Sequence, residues 1–208
     1  MKPWEYDRDW VSKPPRVPSL EGKDTGNLVI YDLGCGYNKY PNSIGVDAMP
    51  KEGVDVVADI ENLRGIVQDE VADVVVLSNV IEHGNSIAIV KEAHRILKVG
   101  GLLYVETPNA YDAERVIRGV LQGRTYVESG HVQVFGSTEL TNLLVICGFE
   151  LVNRGFMARA VGRGVPQPRK SKATRLAEII VRIFPNTREV LWAEAVKPET
   201  SLRRVPIQ

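Results

Sequence analysis

The stretch Leu28-Val29-Ile30-Tyr31-Asp32-Leu33-Gly34-Cys35-Gly36 constrains this chain more than any other. Its apolar, partly β-branched run predicts a buried strand, and the run breaks into Gly-Cys-Gly directly after Asp32 and Leu33. Two glycines one residue apart allow a sharp backbone turn and leave no Cβ in the way of an approaching ligand. Ser43-Ile44-Gly45-Val46-Asp47 predicts a second short strand, and Val54-Asp55-Val56-Val57-Ala58-Asp59 a third. Each finishes at or near an aspartate. In an open parallel sheet, ligands bind outside the carboxyl ends of the strands. Asp32, Asp47 and Asp59 are therefore expected to face one place.

Two ligand classes fit a strand, a glycine loop and an acidic strand end: a dinucleotide and S-adenosylmethionine. The dinucleotide fingerprint calls for Gly or Ala three residues after the second glycine, and here that residue is Lys39. Its acidic partner should lie about twenty residues past the motif, whereas Asp47 comes only eleven after Gly36, with Pro41 between. No full crossover helix fits there. Pyrophosphate binding relies on a helix N-terminus, so the pattern counts against a dinucleotide.

At this point the residues resemble a known family, the class I S-adenosylmethionine-dependent methyltransferases, and within it the type 11-like subgroup. Asp32-Leu33-Gly34-Cys35-Gly36 resembles its first motif. Asp47, followed by Ala48, falls where the resemblance implies contact with the donor's ribose. Ala58-Asp59-Ile60 falls where it implies contact with adenine. Ser78-Asn79-Val80-Ile81-Glu82-His83 resembles the motif after the fourth strand, and Arg95 to Leu103 the helix–turn–strand signature. The resemblance covers about Leu28 to Phe149. It implies S-adenosyl-L-methionine as cofactor, held by Asp32, Gly34, Cys35, Gly36, Asp47, Ala48, Asp59, Ile60, Ser78 and Asn79. It also implies a Rossmann-like α/β fold: a mostly parallel seven-stranded sheet, helices on both faces and an antiparallel C-terminal hairpin. The short link before Asp47 departs from the family's pattern and predicts a truncated first crossover helix.

Residues 1–27 are polar and broken by Pro3, Pro14, Pro15 and Pro18, and read as an arm outside the core, with Trp4, Tyr6 and Trp10 either as surface anchors or packed as a short helix over the site. Residues 28–208 read as the methyltransferase domain. Residues 61–70 predict a short helix or turn, and Ala72 to Leu77 a fourth strand. A helix is expected from Ser86, stopped by Gly100-Gly101, then a strand over Leu102 to Glu106. Further helices are expected over 110–122 and from Ser137, where Ser or Thr ahead of Glu139 is a capping pattern. Glu150 to Ala158 and Glu189 to Val196 predict the closing strands, with a helix around Leu176 to Val181. Between them, residues 159–175 form a basic loop with Arg163, Arg169, Lys170, Lys172 and Arg175, read either as a seat for an anionic acceptor or as solvated surface.

The 26 basic and 26 acidic residues balance, which gives no global nucleic-acid or membrane signal. No apolar run reaches membrane-spanning length. Two cysteines do not make a disulfide framework, and a cytoplasmic protein is expected.

A hydroxyl acceptor of a methyl group gains from a general base. His83, just past the fourth strand, and His131, in the loop before the capped helix, are the candidates, each set against an ordinary structural role. His94 lies within a helix and is expected at the surface. No His, Cys or carboxylate cluster shows metal-ligand spacing, so no metal site is expected. The Pro-Pro-aromatic run of base-amino methylation and the Pro-Cys of cytosine methylation are both absent. Oxygen of a small-molecule or glycan-like acceptor is the expected target. A non-catalytic scaffold and an RNA or protein methyltransferase remain as alternatives, with nucleic acid the less favoured partner.

Overall fold

The structure is a computed structural model, and it describes residues 14–122, 130–157 and 172–199. Seven strands form one sheet: β1 (Ile30–Leu33), β2 (Ile44–Asp47), β3 (Val56–Val57), β4 (Ala72–Ser78), β5 (Leu97–Pro108), β6 (Glu150–Met157) and β7 (Val190–Val196). Their spatial order is β3-β2-β1-β4-β5-β7-β6. The first five run parallel, and β7 lies antiparallel to both β5 and β6. The expected sheet and its antiparallel closing hairpin are both present. Among the described residues four α-helices accompany it: α1 (Ser86–Ile96), α2 (Ala113–Gln122), α3 (Ser137–Ile146) and α4 (Lys172–Ile183).

Side chains alternate across the central strands, so each strand serves two cores. On β4, Val75 and Leu77 join Leu33, Leu103 and Val105 in the larger cluster, together with Ile89, Val90 and Ala93 of α1 and Leu140, Leu143 and Leu144 of α3. Val74 and Val76 point the other way, into a smaller cluster with Ile30 and Tyr104. The strands are thus buried on both faces, as a near-continuous apolar run predicts.

No helix occurs between β1 and β4. The truncation expected for the first crossover extends to the next two connections, and residues 61–70 are turns. What covers the smaller cluster instead is the N-terminal segment. Val17 is 1% exposed within it, with Leu20 against it. Ser19 donates from N and Oγ to the buried Glu194 carboxylate at 2.7 and 2.8 Å. The segment expected outside the core is therefore a core element at Val17. Trp4, Tyr6, Trp10 and most of the basic loop 159–175 lie outside the described residues.

Two element boundaries differ from expectation. The helix before β5 ends at Ile96, and Gly100 and Gly101 lie within the strand. Leu97 pairs with Ala72, while Gly100 N donates to Lys197 O at 2.8 Å, so the sheet claims the segment. At α3 the cap is Gly136: its N–H donates to Glu139 Oε2 at 3.1 Å, rather than a Ser or Thr side chain capping the helix. Among the described residues no helix is long and apolar enough to cross a membrane.

Candidate active site

The parallel strands β1, β2, β4 and β5 deliver their carboxyl ends to one edge of the sheet. After β1 the chain turns at Gly34, which has φ +76°. A Cβ there would come 2.3 Å from Val80 Cγ2, so only glycine lets this loop lie against the turn after β4. Gly34 N and Cys35 N both donate to Val46 O, at 2.7 and 3.2 Å, which ties the loop to β2. Gly36 also has positive φ (+56°), but nothing lies within 4 Å of where its Cβ would be. Its backbone faces open space.

Asp47 closes β2. Its Oδ2 accepts from Gly36 N at 3.0 Å and its Oδ1 from Met49 N at 2.9 Å, with Lys51 Nζ at 3.4 Å. The carboxylate that orders the glycine loop therefore sits beside the open backbone of Gly36. Ala48 next to it is exposed. Asp59 is also exposed and holds its own turn, accepting from Glu61 N at 2.9 Å. Ile60 lies in the larger core, so its side chain supports this edge from beneath.

Asp32 is 1% exposed. Its Oδ2 accepts from Tyr40 N at 2.7 Å, and among the described residues no group hydrogen-bonds its buried Oδ1. Burial pushes its pKa up to about 7, against the Tyr40 hydrogen bond, with the Glu106 carboxylate adding to the rise. Burial, with Asp32 and Asp47 adding to it, pushes the Cys35 thiol up to about 12, so it is no thiolate nucleophile at neutral pH.

β4 ends at Ser78, and Asn79 follows with φ +50°. Ser78 Oγ donates to Glu106 Oε1 at 2.5 Å and Asn79 Nδ2 to the same oxygen at 3.2 Å. Tyr104 Oη donates to Glu106 Oε2 at 2.7 Å, and burial together with that carboxylate raises the phenol's pKa. Sequence reading gave Glu106 no role. The signal was there: an acid at the end of an apolar parallel strand, as at Asp32 and Asp47.

His83 and His131 do meet. Their rings stand edge to face at 4.6 Å between centroids, although 48 positions separate them. His83 Nδ1 lies 3.1 Å from Gly130 O. The Glu82 carbonyl accepts from Val132 N and Gln133 N at 2.9 and 3.3 Å, which fixes the His131 loop to the turn after β4. Glu82 itself is 1% exposed, and its Oε2 accepts from Thr107 Oγ1 at 3.1 Å. One ligand atom from each of Glu82, His83 and His131 lies within 4.8 Å of the others. Sequence spacing hides this grouping because His131 arrives from a distant loop. His94 stays away from this edge, half-buried on α1 against the Phe149 ring at 5.0 Å, and burial lowers its pKa.

The profile of a family described as "Methyltransferase domain" matches residues 11–154. A curated relative, the 25S rRNA (adenine(645)-N(1))-methyltransferase of Schizosaccharomyces pombe, is 40% identical over 100 residues, which is 43% of this chain. The match spans only 30% of that relative's length. Among solved structures, the complex between the Haloferax volcanii Trm112 methyltransferase activator and a methyltransferase aligns with TM-score 0.59 at 17% identity, covering 85% of this chain and 84% of that one. A SAM-dependent methyltransferase of Thermotoga maritima aligns with TM-score 0.55 at 22% identity, covering 82% of each chain. At these identities the structural likeness speaks for the fold alone.

Proposed function

Since the chain belongs to the methyltransferase domain family, whose cofactor is S-adenosylmethionine, we propose that it methylates an oxygen of a small-molecule or glycan-like acceptor. Two observations make the edge a fit for the donor. The open space at Gly36 admits a ligand against bare backbone, beside an acid at a strand end. The buried Asp32 Oδ1 offers an acceptor that no described group satisfies. In this reading Gly34, Cys35 and Gly36 shape the cradle and Asp47 accepts from the ribose hydroxyls, with Ala48 beside it. Asp59 and Ile60 border the adenine, and Asp32 meets the donor's ammonium. Ser78 and Asn79, fixed by Glu106, border the reacting end. When bound, the donor supplies a methyl group already activated on sulfonium.

The protein's own task is then to position the acceptor and exclude water. His83 and His131 stand past the carboxyl end of β4, where an acceptor hydroxyl would give up its proton. The observation that carries the reading is the pairing of the open Gly36 backbone with the Asp47 carboxylate. The chain is read as cytoplasmic, in keeping with its two buried free cysteines. A second reading, an RNA acceptor, is favoured by the name of the Schizosaccharomyces pombe relative. Both are tested by supplying donor with labelled methyl and a cell extract as acceptor, then treating the product with nuclease, protease or glycosidase. Label that survives nuclease in a small or glycosidase-sensitive product supports the oxygen reading. Label released only by nuclease supports RNA, and absence of turnover supports a non-catalytic scaffold.

A further inference from the structure

The cluster of Glu82, His83 and His131 has a chemistry that methyl transfer alone does not require. Two imidazoles and one carboxylate form a mixed nitrogen and oxygen donor set, with one ligand atom of each within 4.8 Å of the others. Such sets suit divalent transition ions such as Mn2+, Fe2+, Co2+ or Zn2+, and three protein ligands leave further positions open.

The surroundings orient the donors as ligands are oriented. The Gly130 carbonyl can only accept, so His83 Nδ1, 3.1 Å away, carries the proton of the neutral ring. Nε2 is then the nitrogen that carries a lone pair rather than a proton, the arrangement metal-binding histidines share. Thr107 Oγ1 donates to Glu82 Oε2 and so orients that carboxylate. Two main-chain hydrogen bonds to the Glu82 carbonyl hold the His131 loop in register with the other two residues. Glu82 is 1% exposed, and burial of a carboxylate is favoured by nearby positive charge, which a divalent ion supplies in full.

We propose that Glu82, His83 and His131 bind one divalent transition-metal ion, whose open positions receive oxygen atoms of a polyhydroxylated acceptor. The metal site stands on the geometry of the three side chains; the acceptor half rests on the methyl-transfer reading above. With the ion in place the two imidazoles are its ligands, and they hold an acceptor hydroxyl through it. The ion's charge favours loss of that hydroxyl's proton to solvent.

The test uses the full chain, freed of metal by chelator and dialysed, and titrated with Mn2+. Free Mn2+ is read by electron paramagnetic resonance, and the same samples are titrated calorimetrically with S-adenosylhomocysteine. One Mn2+ per chain is expected. His131→Ala and Glu82→Gln should each weaken it tenfold or more, with His83→Asn as a further variant should buried Glu82→Gln fail to fold. His94→Ala should leave Mn2+ affinity unchanged. Absence of Mn2+ and Zn2+ binding at millimolar metal overturns the proposal, as does binding that survives the His83→Asn/His131→Ala double variant in folded protein. Methyl transfer that proceeds at the same rate in chelator overturns the acceptor half. S-adenosylhomocysteine binding is expected to persist in the variants. Its absence in the wild type would instead remove the methyl-transfer reading and leave the metal result standing.

Discussion

Asp32 makes stability depend on pH in a direction opposite to most carboxylates. A free aspartate ionises near 3.9, whereas burial holds Asp32 up to about 7 in the folded chain. Between those values the folded state binds a proton that the unfolded state has lost, so stability falls as pH rises and levels off above about 7. The shift of about 3 units corresponds to a full penalty of about 4 kcal/mol, of which about 2–3 kcal/mol develops between pH 5 and 8. Asp32→Asn removes the titration while its carbonyl oxygen still accepts from Tyr40 N. Urea unfolding of both proteins at pH 5, 6, 7 and 8 isolates the effect, because every other group is common to the two. The variant should gain about 2–3 kcal/mol relative to wild type across that range, mostly below pH 7. A wild-type–variant difference that stays flat with pH would refute the reasoning. The same argument predicts that a ligand ammonium placed beside Asp32 pulls its pKa back down, so S-adenosylhomocysteine should bind more tightly as pH rises towards 7.

Other outcomes follow from the same geometry. Gly34→Ala strains a backbone at φ +76° and drives a Cβ into Val80, so it should cost at least 1–3 kcal/mol of stability, read by urea midpoint. Gly36→Val meets no neighbour, so its folding cost should be confined to backbone strain while donor affinity collapses, read by calorimetry and melting temperature. Glu194→Ala removes the acceptor that fastens Ser19 and should destabilise by roughly 1.5–3 kcal/mol, with earlier proteolysis of the N-terminal segment. His83→Ala and His131→Ala should lower single-turnover transfer by about 10²–10⁴-fold; equal rates in folded variants would remove both residues from the chemistry.

What the sequence made legible was local. An apolar run ending at or near an acid marked the parallel strands at Asp32 and Asp47, the first of them followed by the glycine turn. The continuous apolar run from Val74 to Leu77 on β4 already pointed to a strand buried on both faces. The missing crossover helix was readable from the short distance between Gly36 and Asp47. What stayed hidden depended on distant partners. Ser19 finds Glu194 175 positions away, so the proline-broken segment around Val17 looked detached when Val17 is part of the core. Gly100-Gly101 looked like a helix stop because nothing nearby in sequence announces the hydrogen bonds with Lys197 that keep it in the sheet. Glu82, His83 and His131 became a cluster only once the Glu82 carbonyl had gathered the second loop. Glu106 showed an acidic strand end but not the Ser78, Asn79 and Tyr104 groups that converge on it.

The central claim is that the glycine loop and the acid at the end of β2 hold the donor. The most direct measurement is calorimetric titration of S-adenosylhomocysteine into wild type and Asp47→Asn, each shown to be folded by its melting transition. The account predicts saturable binding of one ligand per wild-type chain and at least tenfold weaker binding in the variant, since a charge-assisted hydrogen bond is worth roughly 1.5–3 kcal/mol. Equal affinity in the two folded proteins would contradict it.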